Sequence, residues 1–118
     1  MKRTLAAACV LGAGLTFGAA GSASANNATI NLTVGGKVVA QATWDDLHDN
    51  FCVRSLVKGH TYTGTITLLD GSGPVWKVSH SGTTTTPKCT GNLSIPEDKR
   101  AFAIVGDGNH STDGTFFT

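Results

Sequence analysis

Cysteine, proline and long apolar runs are all scarce in this sequence: of 118 residues only three are Cys and three are Pro. No Cys-x-x-Cys spacing occurs, which excludes the usual zinc-ribbon and thiol-redox motifs. Neither sign of charge dominates, with nine Lys and Arg against eight Asp and Glu. Without a basic run, nucleic acid is excluded as an expected partner. No apolar stretch after Ala25 approaches the length of a membrane span, so no span is expected there. A 3.6-residue hydrophobic period is also missing, and a helical bundle is excluded with it. No Gly-x-Ser-x-Gly elbow marks a nucleophile.

What is present begins with an export signal. Lys2 and Arg3 lead an apolar run from Leu5 to Ala20, and Ala23-Ser24-Ala25 supplies the small residues of a cleavage site. Residues 1–25 are read as signal peptide and residues 26–118 as one domain of 93 residues. Removing the signal takes away Lys2, Arg3 and Cys9, so the net charge passes from +1 to −1 and two cysteines remain.

Short alternating segments follow one another through the mature chain. Ile30, Leu32 and Val34 share one face of a strand from Ala28 to Val34, and Gly35-Gly36 reads as a two-residue hairpin turn. Lys37 to Thr43 returns as a second strand with Val38, Ala40 and Ala42 together, after which Thr43 is expected to cap one helical turn across Trp44 to His48. Further strands are predicted over Phe51–Val57, Thr61–Leu69, Val75–His80, Cys89–Ile95 and Arg100–Val105. A polar hairpin loop from Gly106 to Gly114 then leads to a closing strand at Thr115–Thr118. Seven or eight short strands at this spacing predict an all-β fold, an antiparallel β-sandwich of immunoglobulin-like connectivity. A small barrel is the alternative.

Cys52 and Cys89 are the only cysteines left after export and are expected to form a disulfide in an oxidising compartment. In immunoglobulin domains the disulfide crosses the core, and Trp76 between the two cysteines resembles that arrangement. Alternation points the other way: with Phe51 and Val53 facing inward, Cys52 faces outward. The bond is therefore expected to fasten the Thr-rich connection, Ser81 to Pro87, to the outside of the sandwich.

The Ala- and Gly-rich signal, the segment Asn50-Phe51-Cys52-Val53-Arg54, and the ending Asn92-Leu93-Ser94-Ile95-Pro96-Glu97-Asp98-Lys99 before a last hairpin resemble the small, mostly uncharacterised secreted single-disulfide β proteins of actinobacteria. That resemblance implies export and a compact β fold. It carries over no catalytic residue.

Several groups of side chains are candidates for function. Thr61, Thr63, Thr65 and Thr67 alternate along one strand, which sets their side chains in a straight row roughly 6.7 Å apart. Such a row suits an ordered surface, ice or a polysaccharide, but ice would need matching rows on adjoining strands and neither supplies them. Lys88, beside Cys89 at the end of the Thr-rich connection, has the charge to enter a trypsin-like protease pocket. Asp107, Asn109 and Asp113 place oxygen atoms at alternate positions of the polar loop. Thr112 and Thr118 stand where a calcium-binding EF-hand needs Gly and Glu, so a recognition loop is the better expectation. Asp45, Asp46 and His48 form the densest ionisable cluster, and a capping turn explains them more simply than acid-base chemistry or a metal. His60, His80 and His110 have no short ligand spacing.

These features predict a secreted, non-enzymatic module that binds an extracellular polysaccharide or protein and needs no cofactor. The alternative is a secreted inhibitor of a hydrolase, acting through Lys88.

Overall fold

The computed structural model describes residues 26–118. The expected export signal, residues 1–25, lies outside the described residues. Eight strands form: β1 (Ala28–Val34), β2 (Lys37–Asp45), β3 (Asn50–Ser55), β4 (Tyr62–Leu68), β5 (Trp76–His80), β6 (Lys88–Asn92), β7 (Arg100–Gly106) and β8 (Ser111–Phe117). They make two antiparallel sheets of four, ordered β1-β2-β3-β6 and β5-β4-β7-β8. The all-β sandwich predicted from the alternation is thus present. Its first three strands meander within one sheet, whereas an immunoglobulin constant domain sets strands A, B, E and D side by side. No helix among the described residues is long and apolar enough to cross a membrane.

Period-two patterning builds the core. Leu32 from β1, Ala40, Ala42 and Trp44 from β2, and Phe51 and Val53 from β3 meet Tyr62, Ile66 and Leu68 from β4 and Ala101, Ala103 and Val105 from β7, all buried. Each fully buried large side chain here, such as Phe51 or Ile66, contributes about 1.5–3 kcal/mol of burial free energy. Many inward positions are Ala or Gly, so the sheets approach closely between the large rings. Gly64 lies at one such close approach: a Cβ built there would lie 2.3 Å from Val53 Cγ2.

Several expected boundaries shift for local reasons. Trp44 does not begin a helix. It extends β2, because its indole continues the inward row of Ala40 and Ala42 and packs 5.9 Å from the Phe116 ring. Asp45 rather than Thr43 caps the following turn, accepting the Leu47 N–H at 3.1 Å. A register shift between Leu32 and Thr33 pairs Thr33 with Val38 and leaves Val39 unpaired and buried, so Val39 takes the core place expected for Val38. The closing strand begins at Ser111, four residues earlier than expected, and the polar loop shrinks accordingly. Gly35 and Gly36 form the predicted turn, with φ of 61° and 79°.

The disulfide joins Cys52 and Cys89. These residues are register partners on neighbouring strands β3 and β6, and Cys52 points away from the buried Phe51 and Val53. The bond therefore clamps the edge strand to the outer surface of the first sheet, as the alternation predicts, and does not cross the core.

Candidate binding face

The inward and outward sets of β4 are sharply divided. Tyr62, Gly64, Ile66 and Leu68 are buried, which fixes Thr63, Thr65 and Thr67 on the opposite, outer face. Register extends this face across the whole second sheet. Ser79, Thr63, Gly106 and Ser111 form one cross-strand row, and Lys77, Thr65, Ile104 and Asp113 form the next. Thr67, Phe102 and Thr115 make a third, and Arg100 with Phe117 closes the edge. The Thr63 and Ser79 hydroxyls are 2.7 Å apart. The Arg100 guanidinium lies over the Phe117 ring at 5.6 Å, a cation–π contact.

Two large apolar side chains are exposed on this face, Ile104 at 36% and Phe117 at 52%. Burial of Ala101, Ala103 and Val105 on the other side of β7 forces Phe102 and Ile104 outward. The face thus combines three threonines and Thr115 with an aromatic and aliphatic strip, flanked by Lys77, Arg100 and Asp113. Sequence reasoning found the threonines and missed Phe102, Ile104 and Phe117. The available signal was the parity of Arg100 to Val105, where two alanines alternate with Phe102 and Ile104.

The remaining expected site residues separate. Thr61 stands one residue before β4 and is exposed. Asp113 is not in a loop but in β8, on the same face as the Thr row. Asp107 sits at the end of the sheet and is engaged: it accepts the N–H groups of His110 (2.8 Å) and Asn109 (2.9 Å). His60 Nε2 also lies 2.7 Å from its carboxylate. These partners, the His110 amide first, hold the Asp107 carboxyl well below the usual carboxylate range. Asn109 thereby belongs to a closed turn, Asp107 to His110, with its side chain at an exposed position. Lys88 is exposed at the start of β6, on the other sheet, and pairs with Val53.

The ionisable cluster after Trp44 divides in two. Asp45 pairs with His48 at 2.7 Å in the open, and this contact lowers its pKa. Asp46 turns inward and is only 8% exposed. One of its oxygens accepts the Trp44 indole N–H at 3.3 Å and the other the Asn26 N–H at 3.0 Å. Asp46, Asp49 and Glu97 each bring a carboxylate oxygen within 4.8 Å of the others. The Asp46 charge, then desolvation, then Asp49 and Asp98, raise the Glu97 pKa.

His80 is the buried histidine. Its Nδ1 accepts the Ser55 N–H at 2.9 Å and the Gly82 N–H at 3.3 Å. Only a ring nitrogen without a proton can accept, so the ring carries its hydrogen on Nε2. The Ser55 hydroxyl donates to the His60 carbonyl at 2.6 Å and not to the imidazole. Ser55 and His80 therefore tie two loops together and are not arranged as nucleophile and base.

The chain matches no family model, no curated protein and no solved structure.

Proposed function

We propose that this protein is a secreted, non-enzymatic module that holds a neutral extracellular polysaccharide on the outer face of the second sheet. The observation that carries the reading is the outward apolar set of Ile104, half-buried Phe102 and Phe117 on one sheet face, with Ile104 paired to Thr65 and Phe102 to Thr67. Sugar rings present apolar C–H faces and a rim of hydroxyls. The aromatic strip suits the first, and the threonine hydroxyls suit the second. The side chains are carried by strands that are locked from beneath, so little ordering entropy opposes binding. Lys77, Arg100 and Asp113 sum to only +1, too little charge to recruit a polyanion, which favours a neutral polymer. The resemblance to actinobacterial secreted proteins makes the producer's own cell-wall polymers the first to try.

Retention of the mature chain on insoluble wall polysaccharide, with free oligosaccharide as competitor, tests the reading. Phe117→Ala should weaken retention by about tenfold, since a stacked aromatic contact contributes on the order of 1 kcal/mol or more beyond its area. Thr65→Lys should abolish it by placing a cation in the middle of the face. High salt should change it little. Capture of one protein in place of polymer, or retention untouched by both substitutions, would sink the proposal.

The inhibitor reading keeps one specific support: Lys88 is exposed and held rigidly by the disulfide at the adjoining Cys89. Inhibition of a trypsin-like protease that disappears in Lys88→Ala would establish it.

A further inference from the structure

Three carboxylates crowd one end of the sandwich, and among the described residues no Lys or Arg enters their hydrogen bonds or ion pairs. Asp46 comes from the β2–β3 turn with Asp49, and Glu97 from the link between β6 and β7, where Asp98 adds a fourth charge nearby. Asp46 is nearly buried, where an uncompensated charge is costly. The Glu97 carboxyl titrates above its ordinary range because of these neighbours. The backbone N–H of Asn26 reaches one member of this cluster, donating to Asp46 Oδ2 at 3.0 Å. Two further contacts hold Asn26 and its neighbour in place. The Asn26 side-chain amide donates to the Thr118 carbonyl at 3.4 Å, and Asn27 Oδ1 accepts the Asp46 N–H at 2.9 Å. In the sequence, Asn26 is also the residue that directly follows Ala23-Ser24-Ala25.

We propose that cleavage between Ala25 and Asn26 creates the missing cation, and that the new α-ammonium of Asn26 docks on Asp46 within the Asp46, Asp49 and Glu97 cluster. This rests on the export reading and goes beyond it by assigning the processed terminus a structural task. Water adds across the Ala25–Asn26 amide under a signal-peptidase-type protease. The hydroxyl goes to the Ala25 carbonyl carbon and one proton to the Asn26 nitrogen; the new carboxylic acid then passes its proton to the amine, leaving a carboxylate on the departing signal and an ammonium on the domain. The amide N–H to Asp46 becomes a charge-assisted hydrogen bond, and the two added protons on nitrogen face an acidic surrounding. Folding and processing are then coupled: the chain gains its full stability only once the signal has left.

The sign of the pH dependence follows from the site. An α-ammonium gaining carboxylate partners has its pKa raised on folding. Its stabilisation is complete below the unfolded value, near ~7.7–8.0, and is lost as pH rises through the folded value. The test compares the chain starting at Asn26 with the same chain acetylated at its α-amino group, which keeps the N–H and removes the charge. At about pH 6, acetylation should raise the unfolding equilibrium constant by about tenfold, the factor linked to a shift of about one pH unit. The difference should vanish above the raised pKa. NMR of a chain labelled at Asn26 should show the amine titrating above the ordinary range.

Glu97→Gln supplies an independent arm that does not touch the buried carboxylate. It should stabilise the acetylated chain, where it relieves repulsion, and stabilise the free-amine chain less or not at all. Equal stability of the two chains at about pH 6, or an amine titrating in its ordinary range, overturns the docking. Mass spectrometry of the secreted protein separates the two readings: a start other than Asn26 overturns the proposal while leaving export intact, and absence of any processed chain from the medium refutes export itself.

Discussion

Replacing Gly64 by Ala adds one methyl group at a point where the two sheets approach closely, and two opposing effects decide the outcome. Gly64 does not have a positive φ, so alanine is conformationally acceptable. Restricting the unfolded chain would by itself stabilise by about 0.4–1 kcal/mol. The new Cβ would lie 2.3 Å from Val53 Cγ2, and 3.1 and 3.2 Å from two atoms of the Phe51 ring. Carbon atoms in contact prefer about 3.5–4.0 Å, so Val53 must leave its rotamer or the sheets must part by more than about 1 Å. Overpacking of this kind costs about 1–3 kcal/mol, and the direct overlap places this case toward the upper end. The net expectation is a loss of about 1–2 kcal/mol, a fall in Tm of roughly 5–15 °C for a domain this size. Val53→Ala alone should also destabilise, through a lost transfer free energy of about 1.6 kcal/mol and a cavity. Combined with Gly64→Ala it should cost at least about 1 kcal/mol less, because the added methyl fills the space that Val53 vacates. The Phe51 ring stays tight, so rescue is incomplete. Urea denaturation of the two single variants and the double variant measures the cycle. Additive effects, within about 0.5 kcal/mol, would refute the contact and with it the pairing of β3 against β4 across the core.

Other perturbations read out separate parts of the fold. His80→Phe removes the acceptor of the Ser55 and Gly82 amides while roughly keeping the volume, and should cost about 2–3 kcal/mol in urea denaturation; an unchanged midpoint would show that the ring does not bond those amides. Cys52→Ser opens a loop of 37 residues and should remove about 4 kcal/mol while the far-ultraviolet spectrum still shows a β protein, whereas thiols that titrate in the unreduced protein would show that the bond is absent. The carboxyls of Asp70, held by Lys99 and Ser72, and of Asp107, held by the His110 amide and His60, have pKa values lowered by folding. Their stabilisation is present above the unfolded value of ~3.9 and is lost as pH falls through the folded values, so stability should decline in acid, and less so in Asp107→Asn. A flat profile from neutral pH down to about pH 3 would contradict both contacts.

How much of this was legible in the sequence depended on whether a segment's own alternation decided its fate. The strand from Tyr62 to Leu68 was readable in full: large residues and threonines take opposite parities, and burial follows them. The outward disulfide was readable for the same reason, since Cys52 lies between Phe51 and Val53. Ser111 to Gly114 was not, because Ser, Asp and Gly are turn residues by local preference and enter β8 only through pairing with Gly106 to Ala103. Trp44 lay in an acidic stretch that suggested a turn, although its parity continued that of Ala40 and Ala42. The missed part of the candidate binding face has a different cause. Apolar residues in a strand are assigned to the core by default. Phe102 and Ile104 are excluded from it by Ala101 and Ala103, whose inward placement depends on register with Leu68 and Ile66.

The thinness of the core and the character of the outer face are one consequence of the same choice of residues. Where Ala101, Ala103 and Gly64 fill inward positions, the sheets close up and no space remains beneath β7 for a phenyl or sec-butyl group. The bulk of Phe102 and Ile104 must then stand outside, where water opposes it and each exposed apolar group costs stability that an inward position would have gained. Such an arrangement offsets that cost only if something covers the strip. The first sheet shows the contrast: apart from the disulfide, its outer face carries the polar Thr29, Asn31, Gln41, Thr43 and Arg54, with Gln41 donating to Asn31 at 3.0 Å. Two sheets of equal size thus meet solvent in opposite ways, and the one that does so unfavourably is the one that carries the threonine row. That asymmetry is the support for the proposal that recognition lies on the β4, β7 and β8 face.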